Sequence, residues 1–268
     1  MTHAPDTLTA LITGGSSGLG EACAMILARS GHRLILVSEN KKELTRASRA
    51  CLEAGAASAE TICLDLTARD AAERLHRKCA ARGLVIDALI NCAGIYPTIE
   101  RELTDISCID AVINLHVLTL TKLCLLFGRD MVARRRGYIL NVSSIASGFP
   151  DPASLTYGPS KRYVRSFSEA IHCEWKEFGI KVTCMTPGGI STNFFAANNV
   201  FIPPIIRRTL ISAEDCARAG LRAMFRGTRR ITPGLYGKLQ SVILSIISRP
   251  LTYPIIKRSY FSMKDKAE

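Results

Sequence analysis

The chain has 268 residues, of which 47% are hydrophobic and 22% are charged, and its formal net charge is +12 at pH 7. These proportions are typical of a globular protein with a sizeable core and exclude a largely disordered chain. The positive charge favours an anionic cofactor or an anionic membrane surface as a partner. Nucleic acid is not predicted as a partner, because the arginine clusters are short and scattered and form no basic stripe with interleaved aromatic residues.

Ten cysteines are spread through the predicted helices and strands, without a C-x-x-C pair or a Cys/His group at metal-ligand spacing. We therefore expect reduced thiols and no metal site. Residues 1–5 are short and polar and lack the pattern of a signal peptide. No apolar run reaches the ~20 residues needed to cross a bilayer. These features predict a cytoplasmic protein, and peripheral contact with a membrane remains an alternative.

The first predicted element is a strand over residues 8–13, which leads into a glycine-rich turn and an alanine-rich helix. This arrangement suits a pyrophosphate, because glycines allow close backbone approach and a helix N-terminus offers free N–H groups. The spacing is G-x-x-x-G-x-G, which differs from the common G-x-G-x-x-G. A flexible turn is the alternative, but the position directly after a buried strand favours a cofactor site. The candidate cofactor residues here are Thr13, Gly14, Ser16, Ser17, Gly18, Leu19 and Gly20.

The second predicted strand, residues 33–37, ends at Ser38 and Glu39. In a dinucleotide-binding fold this point faces the adenine ribose, where an acid favours the 2′-hydroxyl of NAD and a base favours the 2′-phosphate of NADP. Glu39 therefore favours NAD, although Lys41 and Lys42 lie close enough to weaken this preference. We predict NAD or NADP as the cofactor, with a preference for NAD.

Further strands are predicted over residues 60–64, 86–90, 138–144, 181–185 and 229–232, and most of them alternate with helical segments. This order predicts a single-domain α/β fold, with a Rossmann-like, doubly wound parallel sheet of about seven strands flanked by helices. We assign residues 1–235 to the dinucleotide-binding and catalytic domain, with a substrate loop at about 193–232. Residues 236–268 form an apolar and basic C-terminal extension.

The region after residue 193 is less regular. The apolar segment around Phe194 to Pro204 is interrupted by prolines and could cover a lipophilic substrate. The extension, residues 236–268, combines apolar and basic residues. It could pack on the body of the protein, form a dimer contact, or lie on a membrane surface as an amphipathic helix.

Three of the candidate catalytic residues lie at the end of the strand predicted over residues 138–144 and in the helix that follows it. Tyr157 and Lys161 have i, i+4 spacing and so share one face of a helix predicted over residues 157–178. An adjacent cation lowers the pKa of a phenol from its ordinary value near ~10, and such a phenol can exchange a proton with a substrate oxygen. Ser144 lies at the end of the strand. Asn114 is a polar residue in a long apolar helix, where it could be structural or hold a water near the reacting centre.

Together these residues resemble the short-chain dehydrogenase/reductase family, over residues 8–192. Thr13, Gly14, Gly18 and Gly20 match its T-G-x-x-x-G-x-G element. Its N-N-A-G element matches residues 91–94, with Cys92 in place of the second asparagine, an amide that in the family helps to tie the central sheet together. Six such elements occur in the family's order. The further cofactor contacts that the resemblance implies are Asp65, Leu66, Asn91, Ala93, Gly94, Tyr157, Lys161, Pro187, Gly188, Ile190 and Thr192.

The resemblance also implies a mechanism, in which hydride passes between nicotinamide and the carbon of a carbonyl or secondary alcohol. Tyr157 would be the general acid in reduction and the base in oxidation, and Lys161 would lower its pKa and bind the nicotinamide ribose. Ser144 would polarise the substrate oxygen, and Asn114 would hold a proton-relay water. A lipophilic substrate is expected. A non-catalytic dinucleotide-binding scaffold and a membrane-surface protein are the alternatives.

Two further expectations come from the resemblance. Family members usually associate through the two long helices here predicted over residues 106–134 and 157–178, which implies a homodimer or homotetramer. Residues 167–170, 192–195 and 233–235 resemble a group of bacterial reductases that commonly carries arginine where this chain has Glu39 and that prefers NADP.

Overall fold

The structure of the protein is a computed structural model that describes residues 7–151, 153–198, 207, 209–246, 253–254 and 257–258. Its main sheet has seven strands, all paired in parallel. A further pair of short strands lies outside that sheet. The strands are β1 (Thr9–Thr13), β2 (Arg33–Ser38), β3 (Ser58–Cys63), β4 (Ala88–Asn91), β5 (Gly137–Val142), β6 (Ile180–Met185), β7 (Ile190–Ser191), β8 (Ile211–Ser212) and β9 (Arg230–Ile231).

Helices connect most of these strands. The helices are α1 (Gly18–Arg29), α2 (Lys41–Glu53), α3 (Ala71–Ala81), α4 (Ile99–Thr104), α5 (Ser107–Ile113), α6 (Leu120–Ala133), α7 (Tyr157–Trp175), α8 (Phe194–Ala197), α9 (Ala213–Arg226) and α10 (Leu235–Ile246). A π-helical segment, Asn114–Thr119, joins α5 to α6 without a break. The predicted α/β fold with a single seven-stranded parallel sheet is confirmed.

The sheet is buried on both faces, as parallel sheets usually are. Successive strand residues point to opposite faces, so Leu11 and Ile12 of β1 belong to different core clusters. On one face the cluster includes residues of α3, α6 and α7, and on the other it includes residues of α1, α2 and α9. This two-sided core fixes the carboxyl edge of the sheet, where the candidate site lies.

The strand order is β3-β2-β1-β4-β5-β6-β9. The chain therefore proceeds from β1 in one direction to β3 and then returns to place β4 on the other side of β1. In open α/β sheets such a reversal leaves a crevice beyond the carboxyl ends of the two central strands, and ligands bind there. The segments after β1, β4 and β5 all emerge at this crevice.

One helix differs from the sequence-based expectation. Ser107–Ala133 is continuous over 27 residues with a mean hydropathy of 1.7 in its most apolar window, so one described helix could cross a membrane by length and composition. The sequence predicted this helix over residues 106–134 but no uninterrupted apolar run of ~20 residues within it, because polar residues such as Asn114 and Lys122 interrupt the pattern. Half of that window is buried inside the protein, and Leu123, Phe127 and Met131 belong to the core. We therefore interpret it as a core helix.

Some predicted segments lie outside the described residues, and some elements of the structure were not predicted. Phe201, Ile202, Pro203 and Pro204 of the predicted lid lie outside the described residues, as does most of the extension beyond residue 246. Helix α4 and the β7–β8 pair were not predicted, because each has only a few residues and no clear periodicity. Helix α3 begins at Ala71, and before it Asp65 accepts a hydrogen bond from the backbone N–H of Thr67.

Candidate active site

The turn after β1 is held against the segment after β4. The Oγ1 of Thr13 accepts hydrogen bonds from the backbone N–H groups of Cys92 and Ala93 at 3.1 and 3.2 Å. Gly14 has φ +65°, and a Cβ placed there would lie 3.1 Å from the backbone of Ala93. The first glycine is therefore required both for its backbone conformation and for this close approach.

Helix α1 begins directly after this turn with free backbone donors. Its N-cap, Ser17, makes no side-chain capping hydrogen bond, so the first N–H groups of the helix have no side-chain acceptor. A Cβ at Gly20 would lie 2.7 Å from the carbonyl carbon of Gly14, which shows how tightly the helix approaches the turn. An uncapped helix N-terminus behind a glycine cradle fits the pyrophosphate of a dinucleotide. Leu19 lies between Gly18 and Gly20 in the first turn of α1.

Charged residues surround the end of β2. The Ser16 hydroxyl donates to Glu43 at 3.3 Å. Arg46 binds both carboxylate oxygens of Glu21, at 2.6 and 2.9 Å, and donates to the carbonyl oxygen of Ser16. Glu39 is exposed just beyond Ser38. Arg46 is therefore already paired with a carboxylate of this chain.

The other predicted cofactor residues lie along the same edge of the sheet. Asp65 is exposed after β3, and its neighbour Leu66 is buried, with a carbonyl oxygen that accepts from Thr119 at 3.0 Å. Thr192 follows β7 and lies against Gly18, since a Cβ on that glycine would be 3.6 Å from the Thr192 side chain. The segment Pro187 to Thr192 thereby reaches the glycine turn. It includes Gly188 and Ile190.

An amide network connects β4, β5 and α7. The Nδ2 of Asn91 donates to Oδ1 of Asn141 at 2.8 Å, and the Nδ2 of Asn141 donates to Ser168 at 3.0 Å. Cys92 replaces the asparagine that in the resembling family helps to tie the sheet. In this chain Asn91 and Asn141 connect β4 and β5 to α7.

Three of the four predicted catalytic residues meet at the carboxyl end of β5. The Ser144 hydroxyl lies close enough to Tyr157 to influence the pKa of the phenol, and it accepts a hydrogen bond from the backbone N–H of Ala146 at 3.1 Å. The Nζ of Lys161 lies 5.6 Å from the centroid of the Tyr157 ring and donates to the carbonyl oxygen of Val142 at 3.2 Å. Lys161 is buried, whereas Tyr157 stays partly accessible, so a substrate can reach it.

The pKa of Tyr157 differs from the sequence-based expectation. Burial raises the pKa of the phenol above its ordinary value, the hydrogen bond with Ser144 opposes this, and the charge of Asp151 adds to it. The sequence predicted that Lys161 would lower this pKa, but the largest cause of the shift is burial, and Lys161 is not among its causes. Burial lowers the pKa of Lys161 itself to about 8. The phenol is therefore protonated at neutral pH, as a general acid requires.

Asn114, the fourth predicted residue, lies at the junction of α5 and the π-helical segment. Its side chain is partly buried, and within the described residues no hydrogen bond joins it to Ser144, Tyr157 or Lys161. π-Helical turns within α-helices are frequent at functional sites, because they shift the hydrogen-bonding register locally. The structure therefore places Asn114 at an irregular point of the helix.

The model of the short chain dehydrogenase family matches residues 8–201 of the chain. The chain belongs to this family. It is 30% identical to the very-long-chain 3-oxoacyl-CoA reductase of Mus musculus, over 96% of this chain and 81% of that protein. It is 29% identical to 17-beta-hydroxysteroid dehydrogenase type 3 of Danio rerio, over 96% of this chain and 84% of that protein.

A similar solved structure is the short-chain dehydrogenase from Sphingobium yanoikuyae in complex with NADPH. It has a TM-score of 0.77 and 25% identity, and the alignment covers 90% of this chain and 96% of that one. The chain is accordingly a short-chain dehydrogenase, an NAD(P)-dependent oxidoreductase that acts on carbonyl and alcohol groups.

One neighbour of Tyr157 in this short-chain dehydrogenase could not be predicted from sequence patterns. The rings of Tyr96 and Tyr157 lie with their centroids 4.5 Å apart. The Tyr96 hydroxyl donates to Asp151 at 2.8 Å, and its backbone N–H donates to Asn198 at 2.9 Å. No motif spacing joins these residues. Their positions just after β4 and β5, at the same edge of the sheet, are the only signal that could have pointed to them.

Proposed function

We propose that this short-chain dehydrogenase reduces the ketone of a lipophilic substrate, with Ser144, Tyr157 and Lys161 as its catalytic residues. The observation that supports this most directly is that Ser144 and the buried Lys161 both lie beside Tyr157 at the carboxyl end of β5. Bound NAD(P)H supplies the hydride. Ser144 would hold the carbonyl oxygen, and the protonated Tyr157 would donate its proton to that oxygen as negative charge develops there.

The cofactor contacts are part of the same proposal. The glycine turn and the N-terminus of α1 would hold the pyrophosphate, and Asp65 would contact the adenine. Lys161 would hydrogen-bond the nicotinamide ribose, and Thr192 would bind the carboxamide. We retain Asn114 as the residue that holds a relay water, because it lies at the π-helical irregularity.

The proposed substrate class rests on the relatives, which are named for a very-long-chain 3-oxoacyl-CoA and for hydroxysteroids. Both kinds of molecule present a ketone or alcohol on a largely apolar framework. The test is a panel of ketones assayed by cofactor oxidation, in which carbonyl groups of equal reactivity are attached to apolar or polar frameworks. A preference for the polar members would refute this part of the proposal.

We propose a preference for NAD over NADP. Glu39 follows β2, where the adenine ribose is expected. The carboxylate of Glu43 lies at the same turn and accepts a hydrogen bond from the Ser16 hydroxyl. A 2′-phosphate would place its charge beside these carboxylates, while Arg46 is already paired with Glu21. Lys41 and Lys42 are exposed and extend the same turn, so they weaken this preference.

Replacing Glu39 by arginine is expected to shift the ratio of NADH to NADPH affinity towards NADPH by about tenfold or more, which corresponds to about 1.4 kcal/mol. The reason is that a repulsive charge at the 2′-position becomes an attractive one. Nicotinamide fluorescence titrations of both cofactors measure the ratio. Glu53→Arg, an identical charge change at the far end of α2, is the matched control and should leave the ratio unchanged. An equal ratio in both variants would contradict the assignment of Glu39.

The pH dependence of ketone reduction follows from Lys161. Its lowered pKa of about 8 means that the free enzyme loses this charge as the pH rises through that value. We expect kcat/KM, which reports the free enzyme, to fall on the alkaline side with a midpoint near that pKa. A pH profile measured at fixed ionic strength checks this. A rate that keeps rising into the alkaline range would contradict a catalytic role for the charged lysine.

We also propose a cytoplasmic homodimer or homotetramer that can contact a membrane surface. Ile106, Ile113, Leu125 and Tyr163 leave exposed apolar surface on α5 to α7, the helices predicted to associate. Sedimentation at several concentrations tests this, and a monomer throughout would refute it.

The first turn of α10 exposes Leu235, Tyr236 and Leu239. Co-sedimentation with anionic liposomes, with and without residues 236–268, tests the membrane contact.

A further inference from the structure

A buried histidine connects the catalytic helix to the segment after β4. His116 lies in the π-helical segment and is 1% exposed, and both of its ring nitrogens have partners. The backbone N–H of Ile95 donates to Nε2 at 3.2 Å. Its Nδ1 lies 2.9 Å from the hydroxyl of Ser160. The ring thus bridges two parts of the chain that are distant in sequence.

These partners determine the tautomer of the ring. Since Nε2 accepts from a backbone N–H, it carries no proton, and the neutral ring must carry its proton on Nδ1. That proton is donated to the Ser160 hydroxyl. Ser160 in turn donates to the carbonyl oxygen of Tyr157 at 2.8 Å. The direction of every hydrogen bond in this series, from Ile95 through His116 and Ser160 to Tyr157, is therefore consistent with a neutral His116.

This series of hydrogen bonds ends beside Tyr157 and Lys161. The edge of the His116 ring faces the ring of Tyr157, with centroids 5.8 Å apart. A Cβ on Gly94 would lie 3.3 Å from Nε2 of His116 and 3.5 Å from Nζ of Lys161, so these three residues pack closely. Ser160 immediately precedes Lys161 on α7. His116 consequently fixes the start of α7 relative to Gly94 and Ile95.

We propose that His116 is a positioning residue, which holds the proton donor Tyr157 and the ammonium of Lys161 in register with the cofactor-binding segment at Gly94. The inference rests on the roles given above to Tyr157 and Lys161. It goes beyond them because His116 itself contacts the catalytic groups only through packing and through Ser160.

Protonation of His116 would break the arrangement. A second ring proton would place an N–H at Nε2, directly opposite the N–H of Ile95. Tyr157 and Lys161 of α7 are the titratable groups that the described structure places beside the ring. Burial, and then the charge of Lys161, lower the pKa of His116 well below its ordinary value, which keeps the ring neutral at neutral pH.

The experiment compares His116→Phe and His116→Gln with the wild type. Phenylalanine fills the space without hydrogen bonds, whereas glutamine can still accept from Ile95 and does not titrate. We expect His116→Phe to lower kcat by about 10–100-fold, because small displacements of positioned groups reduce rates by that order, and to change the KM of the ketone little. His116→Gln should recover most of kcat and lack the loss of kcat at acidic pH that we expect of the wild type.

The matched control is His32→Gln. His32 is also buried, accepts from the backbone N–H of Leu8 at 3.3 Å and has a pKa lowered by burial, but it lies at the start of β2, far from the carboxyl edge. It should leave kcat and its pH profile unchanged. If His32→Gln removed the acidic limb as well, or if folded His116→Phe retained the wild-type kcat, the proposal would be overturned.

Cofactor affinity provides a readout without turnover. Because Lys161 and Gly94 border the proposed ribose site, His116→Phe should weaken binding of the reduced cofactor severalfold by nicotinamide fluorescence, and His116→Gln should restore it. If the wild type reduced no ketone, the proposed function would fail while this comparison still tested the role of His116. Equal affinities in the wild type and both variants would refute that role.

Discussion

Replacing Tyr157 by phenylalanine is expected to lower kcat for ketone reduction by about 10²–10⁴-fold, the range that general acid catalysis contributes. In the proposed mechanism the phenol is the proton donor next to the substrate oxygen, and burial keeps it protonated at neutral pH. The ring itself is retained, so its packing against Tyr96 should persist. Steady-state kinetics with an apolar ketone measures the loss, and nicotinamide fluorescence should show nearly unchanged cofactor affinity.

Tyr163→Phe is the matched control for this variant. Tyr163 lies on the same helix, is 38% exposed and pairs its hydroxyl with Thr121 at 2.9 Å. Removing that hydroxyl should not affect the rate. Activity of Tyr157→Phe within about threefold of the wild type, far below the general-acid contribution, would mean that another group donates the proton.

Replacing Gly20 by alanine is expected to weaken cofactor binding by about tenfold or more, because overpacking typically costs about 1–3 kcal/mol. The new Cβ would lie within 2.7 Å of the carbonyl carbon of Gly14 and 3.2 Å from the Cα of Gly15. Since both are backbone atoms, the glycine turn itself must move. Fluorescence titration with the reduced cofactor measures the loss.

Gly148→Ala provides the control for that substitution, because a Cβ at Gly148 meets no atom within 4 Å and the residue has no positive φ. Its cofactor affinity should equal that of the wild type. Thermal unfolding of both variants separates a local effect on the turn from general destabilisation. Unchanged affinity in folded Gly20→Ala would show that the turn does not form the pyrophosphate site.

Local spacing was enough to predict the fold and the grouping of Ser144, Tyr157 and Lys161. Tyr157 and Lys161 share a helix face because they are four residues apart, and Ser144 follows a strand, so each position depends only on nearby sequence. The glycine turn is similarly local. The alternation of apolar strands with helices predicted the seven-stranded parallel sheet, because such strands must be covered on both faces.

Features that depend on tertiary contacts were not predictable. His116 is one polar residue in an apolar helix, and its partners Ile95 and Ser160 are distant in sequence. The raised pKa of Tyr157 was not predicted, because burial, its largest cause, depends on the whole fold. The π-helical segment at Asn114 has no sequence pattern of its own, so a continuous helix was all that the pattern could predict.

The most direct test of the proposed function follows the hydride itself. Wild-type protein and Tyr157→Phe are incubated with an apolar ketone and reduced cofactor deuterated at C4 of the nicotinamide, and the alcohol product is analysed by mass spectrometry. We predict that the wild type forms alcohol with deuterium on the carbinol carbon, in equal amount to the cofactor oxidised, and that Tyr157→Phe forms almost none. Wild-type protein that binds the cofactor but oxidises it with no ketone of the panel would contradict the proposed activity.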